Sequence, residues 1–106
     1  MFARIVMMPL KPGSTSEFAK AIEKGAIPLL RRNKGFLEEI ALVTDDGKIG
    51  LGISFWDTKE SAEAYSRSGF SDVMTALDKV VGGPTEVKNC EVTNSTTHKI
   101  APALVA

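Results

Sequence analysis

The chain has 106 residues, enough for one domain and one core. Its 13 basic and 13 acidic residues cancel, and the one basic run, Arg31-Arg32-Asn33-Lys34, reads as a solvated helix end rather than a phosphate reader, which argues against nucleic acid. No apolar run approaches the roughly 20 residues that span a bilayer, and the lone Cys90 allows no intrachain disulfide.

The first segment, Phe2 to Leu10, is apolar except for Arg4, and the Lys11-Pro12-Gly13 stop that follows favours a strand. Ser14 and Glu17 have capping-box spacing, and behind them Phe18, Ile22, Ala26 and Leu29 repeat at four, four and three, one helical stripe. Pro28 removes a backbone donor and is expected to kink or end the regular helix near Ile27, with Gly35 as the left-handed cap beyond it.

Phe36 to Thr44 reads as a second strand, joined through the hairpin signal Asp45-Asp46-Gly47 to a third at Lys48 to Trp56. Asp57 and Glu60 have the spacing of a second capping box. The helix they introduce starts near Thr58, breaks at Ser68-Gly69 and resumes from Ser71 with Val73, Met74, Leu77, Val80 and Val81 as buried positions. Gly82-Gly83-Pro84 stops it, and Thr85 to Thr93 reads as a fourth strand. Residues 1–93 are thus expected to form the domain, with 94–106 as a tail of no assigned structure.

The order βαββαβ is that of the ferredoxin-like sandwich, an α+β fold with an antiparallel sheet. Two helices cover one sheet face only. Because both alternating sets on the first strand are apolar, with Phe2, Val6, Met8 and Leu10 opposite Ala3, Ile5 and Met7, the second face calls for a cover, best supplied by another copy of the chain. The N-terminal residues lack a basic region followed by a signal-peptide core, so a cytoplasmic location is the expectation.

Lys34-Gly35-Phe36, the Asp-Gly hairpin and Ile53-Ser-Phe-Trp-Asp-Thr-Lys-Glu-Ser-Ala-Glu-Ala-Tyr65 resemble the antibiotic-biosynthesis monooxygenase domain of the dimeric α/β-barrel superfamily. The resemblance implies two ferredoxin-like protomers packed sheet to sheet as a homodimeric α/β barrel, each with an apolar cavity between its own sheet and helices. It implies a cofactor-independent monooxygenase acting on a small aromatic or quinol-like substrate, with no cofactor and no metal. Tyr65 is then the catalytic candidate, orienting a substrate hydroxyl, with Trp56, Phe70 and Met74 as substrate-binding residues. The alternative is a non-catalytic dimer that binds a small apolar molecule, or an orphan of the superfamily. In both, Trp56 at the strand–helix junction also serves as a core residue.

Haem-degrading relatives carry an Asn on the first strand and a Trp and a His on the second helix. This chain has no Asn on that strand, Ala64 or Tyr65 near the Trp position, and Met74 near the His position, so the resemblance does not extend to haem chemistry. His98 is the one imidazole and lies in the tail, where a role in a cavity requires the tail to fold back. One His and one Cys do not make a zinc site, and Glu38-Glu39, on opposite faces of a strand so that at most one can face a cavity, reads as surface or rim. The third strand decides where space is left. Gly50, Gly52 and Ser54 share one face, and a cavity lined by Tyr65, Phe70, Met74 and the first strand is expected if that face meets the helices.

Overall fold

The computed structural model describes residues 1–100; residues 101–106, the end of the expected tail, lie outside the described residues. Four strands, β1 (Phe2–Pro9), β2 (Phe36–Val43), β3 (Ile49–Trp56) and β4 (Glu86–Glu91), form one antiparallel sheet in the order β2-β3-β1-β4. Together with two helical layers on one side, this is the ferredoxin-like α+β fold. β4 is shorter than its apolar and β-prone residues suggest, because its pairing with β1 runs only from Phe2↔Glu91 to Met7↔Glu86.

The first helical layer is continuous in direction but not in geometry. An α-helix, α1 (Thr15–Ala21), passes into a π-helical turn at Ile22–Ala26 and then into α2 (Ile27–Leu30), with Pro28 in the first turn of α2. Residues spaced by four drift about 40° per step around an ordinary α-helix. The wider π turn takes up part of that drift. Phe18, Ile22, Ala26 and Leu30 are therefore all buried, and the stripe ends at Leu30 rather than the expected Leu29.

The second layer comprises α3 (Lys59–Ser68) and α4 (Phe70–Leu77), separated at Gly69. Neither capping box forms. Ser14 has ψ 7°, outside the extended region that aims a cap oxygen at the first turn, and its side chain makes no cap bond. At α3 the cap is Thr58, extended at φ −137° and ψ 161°, whose Oγ1 accepts the Ser61 N–H at 3.1 Å. Asp57 instead accepts from the Ser61 hydroxyl and the Thr58 amide, which hold its carboxyl below the usual range.

On the helix face, β1 places Phe2, Arg4, Val6 and Met8, and β3 places Gly50, Gly52, Ser54 and Trp56, paired in register. β2 carries a bulge between Phe36 and Glu38. One residue, Leu37, is thereby extra, so Phe36 (opposite Trp56) and Glu39 (opposite Ser54) both face the helices although they are three apart. The other face presents Ile5, Met7, Leu51, Ile53 and Phe55, with Leu37, Ile40 and Leu42 on β2 between 40% and 48% exposed. The tail runs from β4 to the far edge, where His98 Nε2 lies 3.0 Å from Glu38 Oε1 on this open face, not in the helix-side core.

α2 ends at Leu30 with Arg31 as a right-handed C-cap, so Gly35 is not the helix cap expected. It lies in the turn before β2 with φ +86°, and a Cβ there would collide with Asp57 Oδ1 and the Ser61 side chain at the start of α3. Gly13 has φ +71° and open space around it. Gly35→Ala should therefore cost roughly 2 kcal/mol or more, about 8 °C or more in Tm, against about 1 kcal/mol for Gly13→Ala. Equal melting shifts for the two variants would show that the α2–β2 corner does not depend on this close approach.

Candidate functional site

The site begins with one transverse row of the sheet. Glu39 of β2, Ser54 of β3, Arg4 of β1 and Asn89 of β4 are in register and on the helix face. Each is held by its own strand, so the row is fixed by the ladder rather than by loops. Ser54 Oγ accepts the indole N–H of Trp56 at 2.9 Å, and Arg4 Nη1 donates to Asn89 Oδ1 at 3.0 Å. Arg4 is only 6% exposed, yet its Nε has no partner, and neither has the buried Oε1 of Glu39.

Above the row lies an aromatic layer. Trp56 is completely buried, and Tyr65 of α3 stacks on it at 4.8 Å with 27° between the rings. Phe36 meets Trp56 edge-on at 5.6 Å, and Phe70 meets Tyr65 edge-on at 6.1 Å. The Arg4 guanidinium carbon is 4.8 Å from the centre of Phe70 and 5.7 Å from that of Tyr65, so ring faces take the place of water around the cation.

Between row and roof is a cavity of about 20 Å³, room for about one water molecule. Gly52 forms its floor, beside Glu39 Oε2 and the Met8 methyl, whereas the space above Gly50 is filled by Phe18 and Leu10. Tyr65, Phe70 and Met74 line the cavity; Trp56 does not reach it and supports Tyr65 from behind. Tyr65 also lines an outer cleft of about 620 Å³ with Arg32, Asn33, Asp57 and Ser61. Tyr65 is thus common to the linings of the two spaces.

Arg4 and Glu39 are the charged cavity residues that sequence reasoning did not single out. For Arg4 the signal was present: a single cation in a nine-residue apolar run, on the same parity as Val6 and Met8. For Glu39 it was partial: adjacent strand residues face opposite ways, so one of Glu38 and Glu39 could face a cavity, and plain alternation from Phe36 gives Glu38. The reading of Glu38-Glu39 as surface or rim holds for Glu38, and the bulge at Leu37 sends Glu39 inward.

Burial sets the electrostatics. Desolvation pushes the Glu39 carboxyl from 4.5 up to about 7. Burial also raises the Tyr65 phenol well above its usual value, with nearby Arg4 opposing and Glu39 adding to the rise, so Tyr65 remains a neutral donor. Arg4 is lowered by the same desolvation and stays cationic, as guanidinium does throughout the working range. Among the described residues no three His, Cys, Asp or Glu side chains are grouped to hold a metal ion.

The sequence model of a family described as "Antibiotic biosynthesis monooxygenase" matches residues 1–75. No match is found among curated proteins. Solved structures share the fold at low identity. A monooxygenase from the gene ActVA-Orf6 of Streptomyces coelicolor, in complex with the ligand Nanaomycin D, is 18% identical with a TM-score of 0.72, covering 92% of this chain and 92% of that one. SnoaB, a cofactor-independent oxygenase from Streptomyces nogalater, is 17% identical with a TM-score of 0.69, over 92% of this chain and 97% of that one. The NE2512 protein of unknown function from Nitrosomonas europaea is 17% identical with a TM-score of 0.71, over 92% and 94%.

Because the folded state holds the Glu39 proton more tightly than the unfolded chain does, unfolding releases it between pH 4.5 and about pH 7. Stability should fall as pH rises through that window and level off above it, by roughly 2–3 kcal/mol from this group. Glu39→Gln should remove that component of the slope and be the more stable protein above the window. Urea denaturation at both ends of the window checks this; an unchanged slope in Glu39→Gln would mean that the carboxyl is better solvated than its position implies.

Proposed function

The chain belongs to the antibiotic biosynthesis monooxygenase family, and from that premise we propose that it is a cofactor-independent monooxygenase for a small aromatic or quinol-like substrate, bound between sheet and helices. The observation that carries the reading is that two buried and incompletely partnered ionisable residues, Arg4 and Glu39, line the cavity. A core position filled by Arg4 and Glu39 without full partners is less stable than one filled by apolar side chains of similar volume. Such groups, converging on an aromatic-walled cavity, are the usual composition of a small-molecule site.

In this reading Tyr65 donates its neutral hydroxyl to a substrate oxygen, Phe70 and Met74 contact the ring, and Trp56 holds Tyr65 in place. A cavity of about 20 Å³ takes no aromatic ring as it stands. Binding therefore requires the cavity to widen, helped by the pliable Met74 side chain while Tyr65 stays anchored on Trp56. For an aromatic methylene the chemistry balances without a cofactor: dioxygen leaves one oxygen on carbon as a carbonyl, and the other departs as water with the two methylene hydrogens. The Streptomyces coelicolor and Streptomyces nogalater proteins, one with a bound Nanaomycin D and one described as cofactor-independent, support the substrate class by likeness of fold. The small closed cavity favours the second reading, a non-catalytic dimer that binds a small apolar molecule.

We also propose that a second copy of the chain covers the open sheet face, burying roughly 2,000 Å² or more in total. No helix among the described residues is long and apolar enough to cross a membrane. The lone Cys90 favours a reducing compartment, and we place the protein in the cytoplasm.

Two measurements test these readings. Oxygen uptake across a panel of hydroquinones and anthrones should identify a substrate, and Tyr65→Phe should lower its turnover roughly tenfold, the worth of one well-placed hydrogen bond. Absence of uptake across the panel would favour the non-catalytic reading. Sedimentation should give a dimer at micromolar concentration, and Ile53→Asp, at the centre of the open face, should give monomer by placing an unpaired charge in the interface. A monomeric parent protein would remove the sheet-to-sheet assembly.

A further inference from the structure

Glu39 and Arg4 stand on the same row of the sheet with only Ser54 between them, so their backbones are about 10 Å apart, two strand spacings. Ser54 Oγ accepts the Trp56 N–H and makes no hydrogen bond to either side chain, so it does not bridge them. No ion pair forms between the two side chains. Each keeps one buried polar atom without a partner, Nε of Arg4 and Oε1 of Glu39, and both residues line the same cavity, with Glu39 Oε2 beside its Gly52 floor. A structural ion pair would close that gap. An acceptor and a donor held apart across a void instead match a group that gives up a proton to one and keeps its charge beside the other.

The geometry points to Glu39 as the general base of this site and Arg4 as the cation that holds the product of deprotonation: Glu39 takes the proton of a phenolic hydroxyl and Arg4 Nε donates to the resulting phenolate oxygen. The O–H bond breaks, its proton goes to the Glu39 carboxylate, and the electron pair stays on the phenolate oxygen, so the step balances with no change in oxidation state. The substrate class narrows to compounds with a free phenolic or enolic hydroxyl. The assignment deepens the monooxygenase reading, whose oxidation step follows deprotonation.

The energetics are matched. At Tyr65, whose ring centre lies 5.7 Å from the Arg4 guanidinium carbon, burial outweighs the cation and the phenol is raised. A phenol that accepts directly from Arg4 gains more, since an adjacent cation lowers the pKa of an acid by roughly 1–3, which brings it from its usual ~10 toward Glu39 at about 7. The groups packed around Glu39 do not compete for the proton. Tyr65 of α3 is held neutral, Arg4 is its cationic counterpart, and the π turn and α4 present Ile22, Ala26, Phe70 and Met74. General bases are most effective with a pKa near the working pH.

The test uses β-naphthol, whose neutral and anionic forms absorb differently, and needs no turnover. It is added at a pH about one above Glu39's value of about 7, where the free probe keeps its proton. The parent protein should bind it as naphtholate, with no proton released to buffer when binding heats are compared in buffers of different ionisation enthalpy. Glu39→Gln should either bind neutral naphthol or release about one proton per naphtholate formed. A parent protein that binds neutral naphthol, releases a proton, fails to bind saturably or matches Glu39→Gln overturns the assignment. Internal proton transfer without oxygen uptake on the hydroquinone panel would leave the base assignment standing and remove the oxygenase reading. Oxygen uptake whose pH profile is the same in Glu39→Gln would do the reverse.

Discussion

The indole N–H of Trp56 donating to Ser54 Oγ, two residues back on the same strand face, is the contact around which the helix-side interior is arranged. It allows the largest side chain of the core to be completely buried without an orphaned donor. The ring then presents one face for Tyr65 to stack on and meets Phe36 edge-on, which ties β3, α3 and β2 together. The same bond fills one acceptor position of Ser54 Oγ, which bonds to neither Glu39 nor Arg4. Ser54 therefore separates the two charged residues without bridging them, and both line the cavity.

The cavity is thus a product of two layers with different demands. The aromatic layer is apolar and closely stacked, while the sheet row beneath it carries opposite charges whose removal from water costs free energy. Arg4 offsets part of that cost through Asn89 and the faces of Phe70 and Tyr65. Glu39 has no such set of partners, and its carboxyl answers by holding its proton to about pH 7. Local stability is spent where proton affinity is tuned, which is the common pattern of sites that do acid–base work.

Most of the scaffold was legible because it rests on periodicities that tertiary structure did not override. The apolar run of β1, the Asp-Gly hairpin and the Gly69 break each act locally, and each lies where the residues imply, whereas α4 ends at Leu77 and residues 78–80 form turns before the expected Gly82-Gly83-Pro84 stop. The site was half legible. Alternation along β3 put Gly52 and Ser54 on one face, and the cavity opens over Gly52. What alternation cannot convey is a bulge, since one extra residue at Leu37 reverses the parity of everything after it on β2. Glu39 was concealed by that reversal. The capping boxes misled for a different reason: the Ser14 and Asp57 spacings were right, but cap bonds depend on backbone angles, and Ser14 has the wrong ones while Thr58 has the right ones.

The π turn at Ile22–Ala26 has its own consequence for the length of the chain. The buried residues of the first helical layer run at intervals of four, four and four, one residue more than the four-three-four of an ordinary amphipathic α-helix. The layer thus contains a single insertion, accommodated where Ile22 and Ala26 border the cavity. Deleting one residue from Glu23 to Gly25 would return the hydrogen bonding to the α register and leave Phe18, Ile22 and the shortened equivalents of Ala26 and Leu30 on one face. The helix would survive the loss, and the cavity wall would be redrawn without any change to the sheet.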